Sequence, residues 1–427
     1  MSAASLTWDG SNTVTAGAQG GGGTWDMNTT ANWWDGVAAA DAVWPGPGID
    51  NDAVFGGTAG DIVTIANGGV TANDLAFNTT GYTVQGGVLT LNGGAIPSLT
   101  TGSGVSVTVN SVIAGTTGLA VEGGGTMSLG GVSTIVNSAA SASNPGIAVG
   151  STSSNNTLNI SNGGTLASIQ TVNNNTSKNR GLLIGGATFG GNSVNVSTVG
   201  TMTTPSFVIN NFNQNLNWLQ IGVSSAGNSL NVSNGAYFGI NNDGQGVAAS
   251  SGWNMGVNNG ADNNTLTIGG IGSVFSRVEN AGPGRSGVAA ASALNIGVAG
   301  STNSVVVSAG GILRPRRIYI GSNGGSNNFL QVTGAGSQAI FTEPTATSNA
   351  IFEIGTTATS NGNYVSVEAG GYLEYTGKGN HNGSGFIRGV TIGKSGDNNY
   401  LSVTGPGSLV DPDLWESTHH NPVLMLG

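Results

Sequence analysis

The sequence predicts an all-β fold, a parallel β-solenoid with about three short strands in each coil. One pattern of apolar residues and Gly recurs along the chain, and its apolar positions alternate as they do in strands. The 427 residues include 76 Gly, and only 7% are charged, against about 25% in typical domains. Because disordered chains lack regularly spaced Val, Ile and Leu, the spacing favours an ordered stack of coils.

The repeated pattern is clearest between Ile296 and Leu313. It begins with an apolar residue and Gly, continues through a polar turn to Asn-x-apolar-x-apolar, and closes with a Gly-rich turn and another apolar residue. Eight copies open at Val149-Gly150, Ile184-Gly185, Ile221-Gly222, Met255-Gly256, Ile296-Gly297, Ile320-Gly321, Ile354-Gly355 and Ile392-Gly393. The shortest interval, from Ile296 to Ile320, is 24 residues and represents one minimal coil.

Every copy places an Asn just before its middle apolar run. The eight residues are Asn156, Asn192, Asn228, Asn264, Asn303, Asn328, Asn363 and Asn399. An Asn at the same place in each coil can stack its amide on the next coil, as amide ladders do in cross-β assemblies. We therefore predict a structural Asn ladder along the solenoid.

A third strand is predicted six residues after the middle run. The apolar residues at this spacing are Leu166, Met202, Phe238, Val274, Leu313, Leu373 and Leu409, and Gln338 is the exception. The longer copies carry insertions in one slot, at residues 169–180, 203–217, 241–252 and 278–293. We expect these insertions to project from one side of the stack.

Residues 1–60 differ from the rest because they hold five of the eight Trp. The first coil of a solenoid exposes an apolar cross-section and a strand edge, which calls for an atypical cap. The sequence predicts a Trp-rich capping region in residues 1–60, with an aromatic platform for sugar rings as the alternative. Residues 61–145 carry looser copies and are predicted entry coils, and residues 146–427 form the regular repeats.

Four short motifs in the first part of the chain carry a family resemblance. They are LTWDG at residues 6–10, WDMNTTANW at 25–33, NDAVFGG at 51–57 and TTGYTV at 79–84. Over residues 5–95 the chain resembles the amino-terminal module of bacterial surface proteins with autotransporter-associated β-strand repeats. The resemblance implies a secreted passenger with a right-handed β-helix, and it says little about biochemical activity.

Charge is unevenly distributed along the chain. No Lys or Arg precedes Lys178, whereas residues 1–177 carry nine Asp and Glu, and the whole chain has a net charge of −10. Nucleic acids and anionic membranes require a basic face, so neither is an expected partner. No stretch reaches the roughly 18 apolar residues of a membrane helix, so insertion into a membrane is not expected either.

The acidic N-terminal half is compatible with a weak Ca²⁺ site. Asp50 and Asp52 offer hard oxygen ligands in one loop, with Asp41 and Asp61 nearby. Cysteine is absent, which excludes disulfides and thiolate metal sites. Apart from this Ca²⁺ hypothesis, no cofactor is expected.

Three other groups of charged residues are weaker candidates for chemistry. Residues 314–317 (RPRR) form a dense cationic run, which could bind a polyanion or lie on a solvated corner near Glu279. Residues 411–422 combine acids with two adjacent His, but their spacing matches no zinc signature. Glu353, Glu368 and Glu374 are the acids that a polysaccharide lyase or hydrolase would use. We expect no catalytic residues.

The chain ends on Leu426-Gly427, which lies 34 residues after Ile392 and so repeats the opening dipeptide. This predicts either a piece of a longer solenoid or an open coil that the next subunit completes. In the second case a strand containing Leu6 and Trp8 would add to the last coil, and subunits would assemble head-to-tail into filaments. The receiving residues would be Val423, Leu424, Met425 and Leu426.

These observations predict a secreted, non-enzymatic structural or adhesive protein at the cell surface. Its expected partners are further copies of itself and cell-surface glycans. The alternatives are a β-helical polysaccharide-active enzyme and a glycan-binding module. Carboxylates that converge in one cleft would favour the enzyme, and a featureless shaft would favour the structural role.

Overall fold

The computed structural model describes residues 4–10, 17–37, 40–46, 51–93, 96–137, 145–161, 163–170, 181–198, 206–211, 219–242, 252–278, 293–343, 352–377, 389–411 and 423–426. Every regular element in this part of the chain is a β-strand, and the strands form three sheets. From Asp52 onward the chain visits sheets 1, 2 and 3 in turn and then returns to sheet 1. The predicted parallel β-solenoid with three strands per coil is therefore confirmed.

Sheet 1 has 16 strands. They are β1 (Ser5–Trp8), β3 (Ala31–Trp34), β4 (Ala42–Val43), β5 (Asp52–Phe55), β8 (Leu75–Phe77), β11 (Ser98–Thr101), β14 (Leu119–Glu122), β17 (Ile147–Val149), β20 (Leu182–Ile184), β23 (Leu219–Ile221), β26 (Gly252–Met255), β29 (Ala293–Ile296), β32 (Arg317–Ile320), β35 (Phe352–Ile354), β38 (Gly389–Ile392) and β41 (Val423–Leu426).

Sheet 2 has 13 strands and sheet 3 has 12. Those of sheet 2 are β2 (Gly20–Trp25), β6 (Ala59–Ile65), β9 (Thr83–Gly86), β12 (Ser106–Val109), β15 (Thr126–Leu129), β18 (Thr157–Ile160), β21 (Ser193–Ser197), β24 (Ser229–Ser233), β27 (Thr265–Gly269), β30 (Ser304–Ser308), β33 (Phe329–Thr333), β36 (Tyr364–Glu368) and β39 (Tyr400–Thr404). Those of sheet 3 are β7 (Val70–Ala72), β10 (Leu89–Leu91), β13 (Ile113–Gly115), β16 (Val132–Asn137), β19 (Thr165–Gln170), β22 (Phe207–Asn211), β25 (Tyr237–Asn242), β28 (Val274–Val278), β31 (Ile312–Arg314), β34 (Gln338–Glu343), β37 (Tyr372–Gly377) and β40 (Leu409–Asp411).

Parallel pairing stacks equivalent residues of successive coils directly on one another. In sheet 2, for example, Leu230 pairs with Leu266, and Val232 pairs with Ile268. Because side chains alternate between the two faces of a strand, every second residue points inward. The inward residues form one continuous apolar core that extends from Leu6 to Ile392.

The eight repeat asparagines stack at the corner between sheets 1 and 2. From Asn192 onward, each Oδ1 accepts two hydrogen bonds from the preceding Asn, one from its backbone N–H and one from its Nδ2, at 2.8 to 3.1 Å. Asn156 begins the ladder, and its Oδ1 accepts from the Gly124 N–H at 2.8 Å. Seven of the eight residues, from Asn156 to Asn363, are fully buried. The side chains thus replace water for backbone groups at a corner where no strand pairing is available.

In the regular repeats, the Gly that follows the sheet 1 strand makes room for this ladder. A Cβ added to Gly222 would lie 2.4 Å from the Asn264 side chain, and the equivalent distances at Gly150, Gly185, Gly256, Gly297, Gly321 and Gly355 are 2.1 to 2.4 Å. These glycines also have φ between 59° and 74°, a region that other residues rarely adopt. Close approach and backbone conformation both require Gly here.

The residue before each ladder Asn is also left-handed. The eight are Asn155, Gly191, Gly227, Asn263, Thr302, Asn327, Gly362 and Asn398, with φ from 55° to 71°. Asn and Gly tolerate this region, whereas a β-branched residue such as Thr302 does not adopt it easily. Thr302 is therefore the strained member of the set.

The third strand follows the predicted six-residue spacing in only part of the repeat. Leu166, Phe238, Leu313 and Leu373 are buried as predicted. The predictions for Val274 and Leu409 are wrong, because Phe275 and Val410 take the inward positions and Leu409 is 50% exposed. Ala339 fills the place next to Gln338. Met202 lies outside the described residues, and Phe207 is the inward residue of its coil.

An alternative turn explains these one-residue shifts. The three shifted coils carry Gly-x-Gly-Ser between sheets 2 and 3, ending at Ser273, Ser337 and Ser408. Each Ser hydroxyl donates to a carbonyl four residues earlier, at 2.6 to 2.7 Å. It also accepts from a Gly N–H of the preceding coil, at 3.0 to 3.1 Å. The Ser turn is one residue longer, so the next inward position comes one residue later.

Two short antiparallel strands, β3 and β4, lie at the N-terminal end of sheet 1. β3 pairs with β1, and β4 pairs with β3. Trp8, Trp25, Trp33 and Trp44 are fully buried beside them, with neighbouring ring centroids 4.5 to 5.2 Å apart. Rings without exposed surface cannot stack on a sugar. The aromatic-platform alternative is therefore wrong for these four Trp, which fill the end of the core.

Replacing Gly222 by Ala should destabilise the protein more than replacing Gly260. Both glycines have positive φ, but a Cβ at Gly260 meets nothing within 4 Å. We expect Gly260→Ala to cost about 1–2 kcal/mol for the left-handed backbone. Gly222→Ala should cost about 1–3 kcal/mol more, since it displaces Asn264 from buried hydrogen bonds. Thermal unfolding followed by circular dichroism measures the difference, and equal melting temperatures would contradict the ladder's role.

Thr302→Asn should stabilise the protein. It places a residue that tolerates the left-handed region where the neighbouring coils already have Asn or Gly, and we expect a gain of about 0.5–1 kcal/mol. The same melting experiment tests this, with Thr267→Asn on the outer face of β27 as the control. A melting temperature for Thr302→Asn at or below that of the unsubstituted protein would show that the position is not strained.

Candidate interaction surface

The outward side of sheet 2, from β15 to β39, forms a long unbroken face, here called the sheet 2 outer face. Most of the longer connections of the regular repeats join sheet 3 to sheet 1, and the exception, residues 198–206, follows the end of β21 rather than interrupting a strand of sheet 2. Nine strands at about 4.8 Å per step give a face about 38 Å long. In-register pairing arranges its side chains in three rows parallel to the stack.

Hydroxyl and amide groups dominate the rows. The first row is Thr126, Thr157, Ser193, Ser229, Thr265, Ser304, Phe329, Tyr364 and Tyr400. The middle row is Ser128, Asn159, Asn195, Asn231, Thr267, Val306, Gln331, Ser366 and Ser402. The third row is Ser197, Ser233, Gly269, Ser308, Thr333, Glu368 and Thr404.

Hydrogen bonds between coils hold the polar side chains in place. Asn195 donates to Asn159 at 2.9 Å, and Asn231 donates to Asn195 at 2.8 Å. Ser229 donates to Ser193 at 2.9 Å in the neighbouring row. A second, half-exposed amide ladder of three residues, Asn159, Asn195 and Asn231, therefore lies on the outside of the coils, and its side chains are ordered before any ligand arrives.

Six residues at the far end of the face form what we call the aromatic patch: Phe329, Gln331, Tyr364, Ser366, Glu368 and Tyr400. The three rings stack with centroids 5.0 and 4.9 Å apart, and Tyr400 is 48% exposed. Glu368 accepts from Ser366 at 2.5 Å and from Gln331 at 3.3 Å. Burial, and then the neighbouring Tyr400 and Glu368, raise the pKa of Tyr364, so its hydroxyl stays protonated at neutral pH.

Sequence analysis missed this patch, although a signal for it exists. Phe329, Tyr364 and Tyr400 each directly follow a ladder Asn. The residue at that place must point outward, because the next one is the first inward residue of the sheet 2 strand. Three successive aromatic residues at an outward position mark a surface feature rather than a core.

The three glutamates of the enzyme alternative do not converge. Glu353 lies in sheet 1, Glu368 in sheet 2 and Glu374 in sheet 3, and each occupies an outward position of its strand. The outer faces of a three-sided coil point in three directions. The prediction that these residues could form one catalytic group is therefore wrong.

A different carboxylate pair lies on the outside of sheet 3. Glu374 pairs in register with Asp411, and the Tyr372 hydroxyl lies 3.1 Å from Glu374 Oε2 and 3.2 Å from Asp411 Oδ2. Burial and the two carboxylates raise the pKa of Tyr372 to about 12. The hydroxyl has one proton, so it donates to one carboxylate at a time. Residues 412–422, with both His of the sequence cluster, lie outside the described residues.

The proposed Ca²⁺ ligands are only partly described. Asp50 lies outside the described residues, and Asp52 Oδ1 accepts hydrogen bonds from Asn73 Nδ2 at 2.8 Å and from the Asp74 N–H at 3.3 Å. Among the residues that the structure describes, no three His, Cys, Asp or Glu are placed to hold a metal together. Ca²⁺ binding stays a prediction.

The cationic run at residues 314–317 is not a basic surface. Arg316 and Arg317 are 1% and 2% exposed, and Arg314 alone of the three arginines is exposed. Glu279, the expected neighbour, lies outside the described residues. The prediction that this run binds a polyanion is therefore wrong. A helix of the length and apolarity needed to cross a membrane is likewise not found in the described part of the chain.

The proposed donor strand for self-assembly is already paired within its own chain, and assembly into filaments stays a prediction. β1 pairs with β3 on one side and β5 on the other, so it has no free edge to offer a second subunit. Leu6 is 6% exposed and Trp8 is fully buried in the cap of its own chain. The receiving segment, Val423–Leu426, is β41, which pairs in register with β38 at the end of sheet 1.

Together the three sheets and the stacked corners define a parallel β-helix with a polar outer face. A stretch of 98 residues, 22% of this chain, is 40% identical to the Adhesin BmaC autotransporter of Brucella suis biovar 1 (strain 1330). That stretch covers 3% of the adhesin, so the chain spans a small fraction of its length. No family model matches the chain, and no solved structure matches it. The similarity fits a surface repeat protein.

Removing the first strand should unfold the cap. Trp8 contacts Trp33 with ring centroids 5.0 Å apart and donates from Nε1 to the Gly21 carbonyl at 2.7 Å. We expect Trp8→Ala to cost about 3–5 kcal/mol, as for other large buried side chains. Val37→Ala, at a residue that is 90% exposed, is the control. If a protein lacking residues 1–10 melts like the intact chain, β1 is not part of the cap.

Proposed function

We propose that this chain is part of a secreted, non-enzymatic surface protein of the adhesin type, in which the β-helix serves as a shaft. The observation that carries the proposal is the similarity of 98 residues to an autotransporter adhesin. The fold supports it, because a stack of coils extends a polypeptide away from its anchor with contacts between neighbours alone.

The composition of the shaft suits an extracellular location. The core and the Asn ladder continue through the repeats, so each coil is held by its neighbours rather than by disulfides. The outer face of sheet 2 is polar and nearly uncharged. The large exposed hydrophobic residues are scattered along the described chain rather than gathered in one patch. Such a surface stays soluble without a partner while leaving long faces open for contact.

Binding is favoured over catalysis by the arrangement of carboxylates. Hydrolysis of a glycosidic bond requires two carboxyl groups on either side of one bond. The glutamates that the sequence offered lie on three separate faces, and the described neighbouring pair, Glu374 and Asp411, has the Tyr372 hydroxyl within hydrogen-bond distance of both carboxylates. A glycan-binding role, in contrast, needs ordered hydroxyl, amide and aromatic groups on one face, as sheet 2 presents.

Antibodies raised against this chain should bind intact cells that produce the full-length protein. We expect the antibody signal on intact cells to equal the signal after permeabilisation, because a displayed shaft is accessible from outside. A cytoplasmic marker protein, stained in parallel, controls for leakage. Staining of this chain only after permeabilisation would rule out display at the surface.

A further inference from the structure

We infer that the sheet 2 outer face binds a neutral polysaccharide, which lies along the stack and is anchored at the aromatic patch. The inference rests on the proposed function and names the class of ligand for it. It draws on the three stacked rings, the carboxylate, amide and hydroxyl groups beside them, and the ordered polar rows that lead away from them.

The chemistry of the patch matches both sides of a sugar ring. A pyranose has an apolar side formed by its C–H groups and a rim of hydroxyls that donate and accept hydrogen bonds. Tyr400 is 48% exposed and stacks on Tyr364, so the C–H groups of a sugar can pack against its exposed ring surface at the end of the stack. Glu368 and Gln331 can form hydrogen bonds with the hydroxyls at the rim, since a carboxylate accepts hydrogen bonds and an amide both donates and accepts them.

Preorganisation strengthens this assignment. Glu368 is already held by Ser366 and Gln331, and stacking restricts the aromatic side chains. Side chains that are ordered before binding lose less conformational entropy when the ligand arrives. A surface that served only to contact water would not need these hydrogen bonds and ring contacts between its side chains.

Charge selects the ligand class. The three rows hold one carboxylate, Glu368, and no Lys or Arg. An anionic polysaccharide or a nucleic acid would meet no positive partner and would be repelled by Glu368. A protein partner would require a larger apolar centre than three rings at one end of a Ser-, Thr- and Asn-rich face. Once anionic polymers and protein partners are excluded, a neutral, hydroxyl-rich polymer is the ligand class that fits this face.

The length of the face fits a polymer rather than a single sugar. Hydroxyls and amides recur at every coil from Thr126 to the patch, and the second amide ladder through Asn195 holds part of this track in order. Each contact is weak alone, but one chain that engages several coils gains from the high effective concentration of the next site.

The repeat itself supplies variants that should fold. Earlier coils have Ser or Thr where the patch has its rings, as at Ser229, Thr265 and Ser304. We therefore choose the triple variant Phe329→Ser/Tyr364→Ser/Tyr400→Ser. Glu368→Thr follows the same logic, because Thr333 and Thr404 occupy its place in the adjacent coils.

The matched control removes an aromatic side chain from another face. Tyr237 begins a sheet 3 strand at an outward, half-buried position. Tyr237→Ser therefore loses a ring of the same size without touching the sheet 2 outer face. Melting temperatures of all variants confirm that each remains folded before binding is compared.

Affinity electrophoresis tests the inference, with the purified chain run through native gels that contain dissolved mannan, mixed-linkage β-glucan or dextran, and alginate as the anionic comparison. We expect at least one neutral polysaccharide to retard the chain and alginate to leave it unaffected. The triple variant and Glu368→Thr should bind at least about tenfold more weakly, and Tyr237→Ser should bind as the unsubstituted chain does. Retardation by none of the neutral polysaccharides, or equal retardation of the triple variant, would overturn the inference.

This experiment is separable from the test of surface display. Antibody staining of intact cells together with unchanged mobility in every neutral gel would refute polysaccharide binding and leave the proposed function in place. Staining only after permeabilisation, together with specific retardation, would refute surface display and leave the binding site in place.

Discussion

The contact between a ladder Asn and the Gly beneath it governs this fold. Asn264 lies over Gly222, where no side chain could fit, and its Oδ1 accepts from the backbone and the side chain of Asn228. A sheet corner leaves backbone groups without strand partners, and buried groups of this kind are costly when unsatisfied. The repeated Asn solves that problem once per coil. Strand pairing on either side then continues in the same register through coils of very different length.

A fixed corner allows the rest of each coil to vary. Most long connections lie between sheet 3 and sheet 1, with residues 198–206 after β21 as the exception, whereas the repeat strands of sheet 2 follow their Asn directly. In the repeats of sheet 2, equivalent outward residues pair in register and form rows along the stack. The same constraint that stabilises the core thus produces an ordered outer face, which is the surface best suited to a repeating ligand.

Much of the fold was predictable from sequence, because the Asn and Gly positions carry backbone requirements that other residues cannot meet. The wrong predictions concern the turn between sheets 2 and 3, where two turns of different length have a similar amino-acid composition. The turn after sheet 2 contains Gly in all eight repeat copies, yet the form ending in Ser337 is one residue longer than the form ending before Leu313. Counting six residues therefore selected Val274 and Leu409, whose neighbours Phe275 and Val410 lie inward. The Gly-x-Gly-Ser motif was the missing signal.

The sequence by itself determined the architecture: three strands per coil, the residues of the ladder, and a Trp-rich end. These follow from local periodicity and from conformations that only Gly or Asn adopts readily. Only the tertiary structure decided which side chains share a surface. It separated Glu353, Glu368 and Glu374 onto three faces, buried Arg316 and Arg317, and enclosed β1 between two strands. It also brought Phe329, Tyr364 and Tyr400 into one stack. Distance along the chain carries no such information, because neighbours on an outer face are a whole coil apart in sequence.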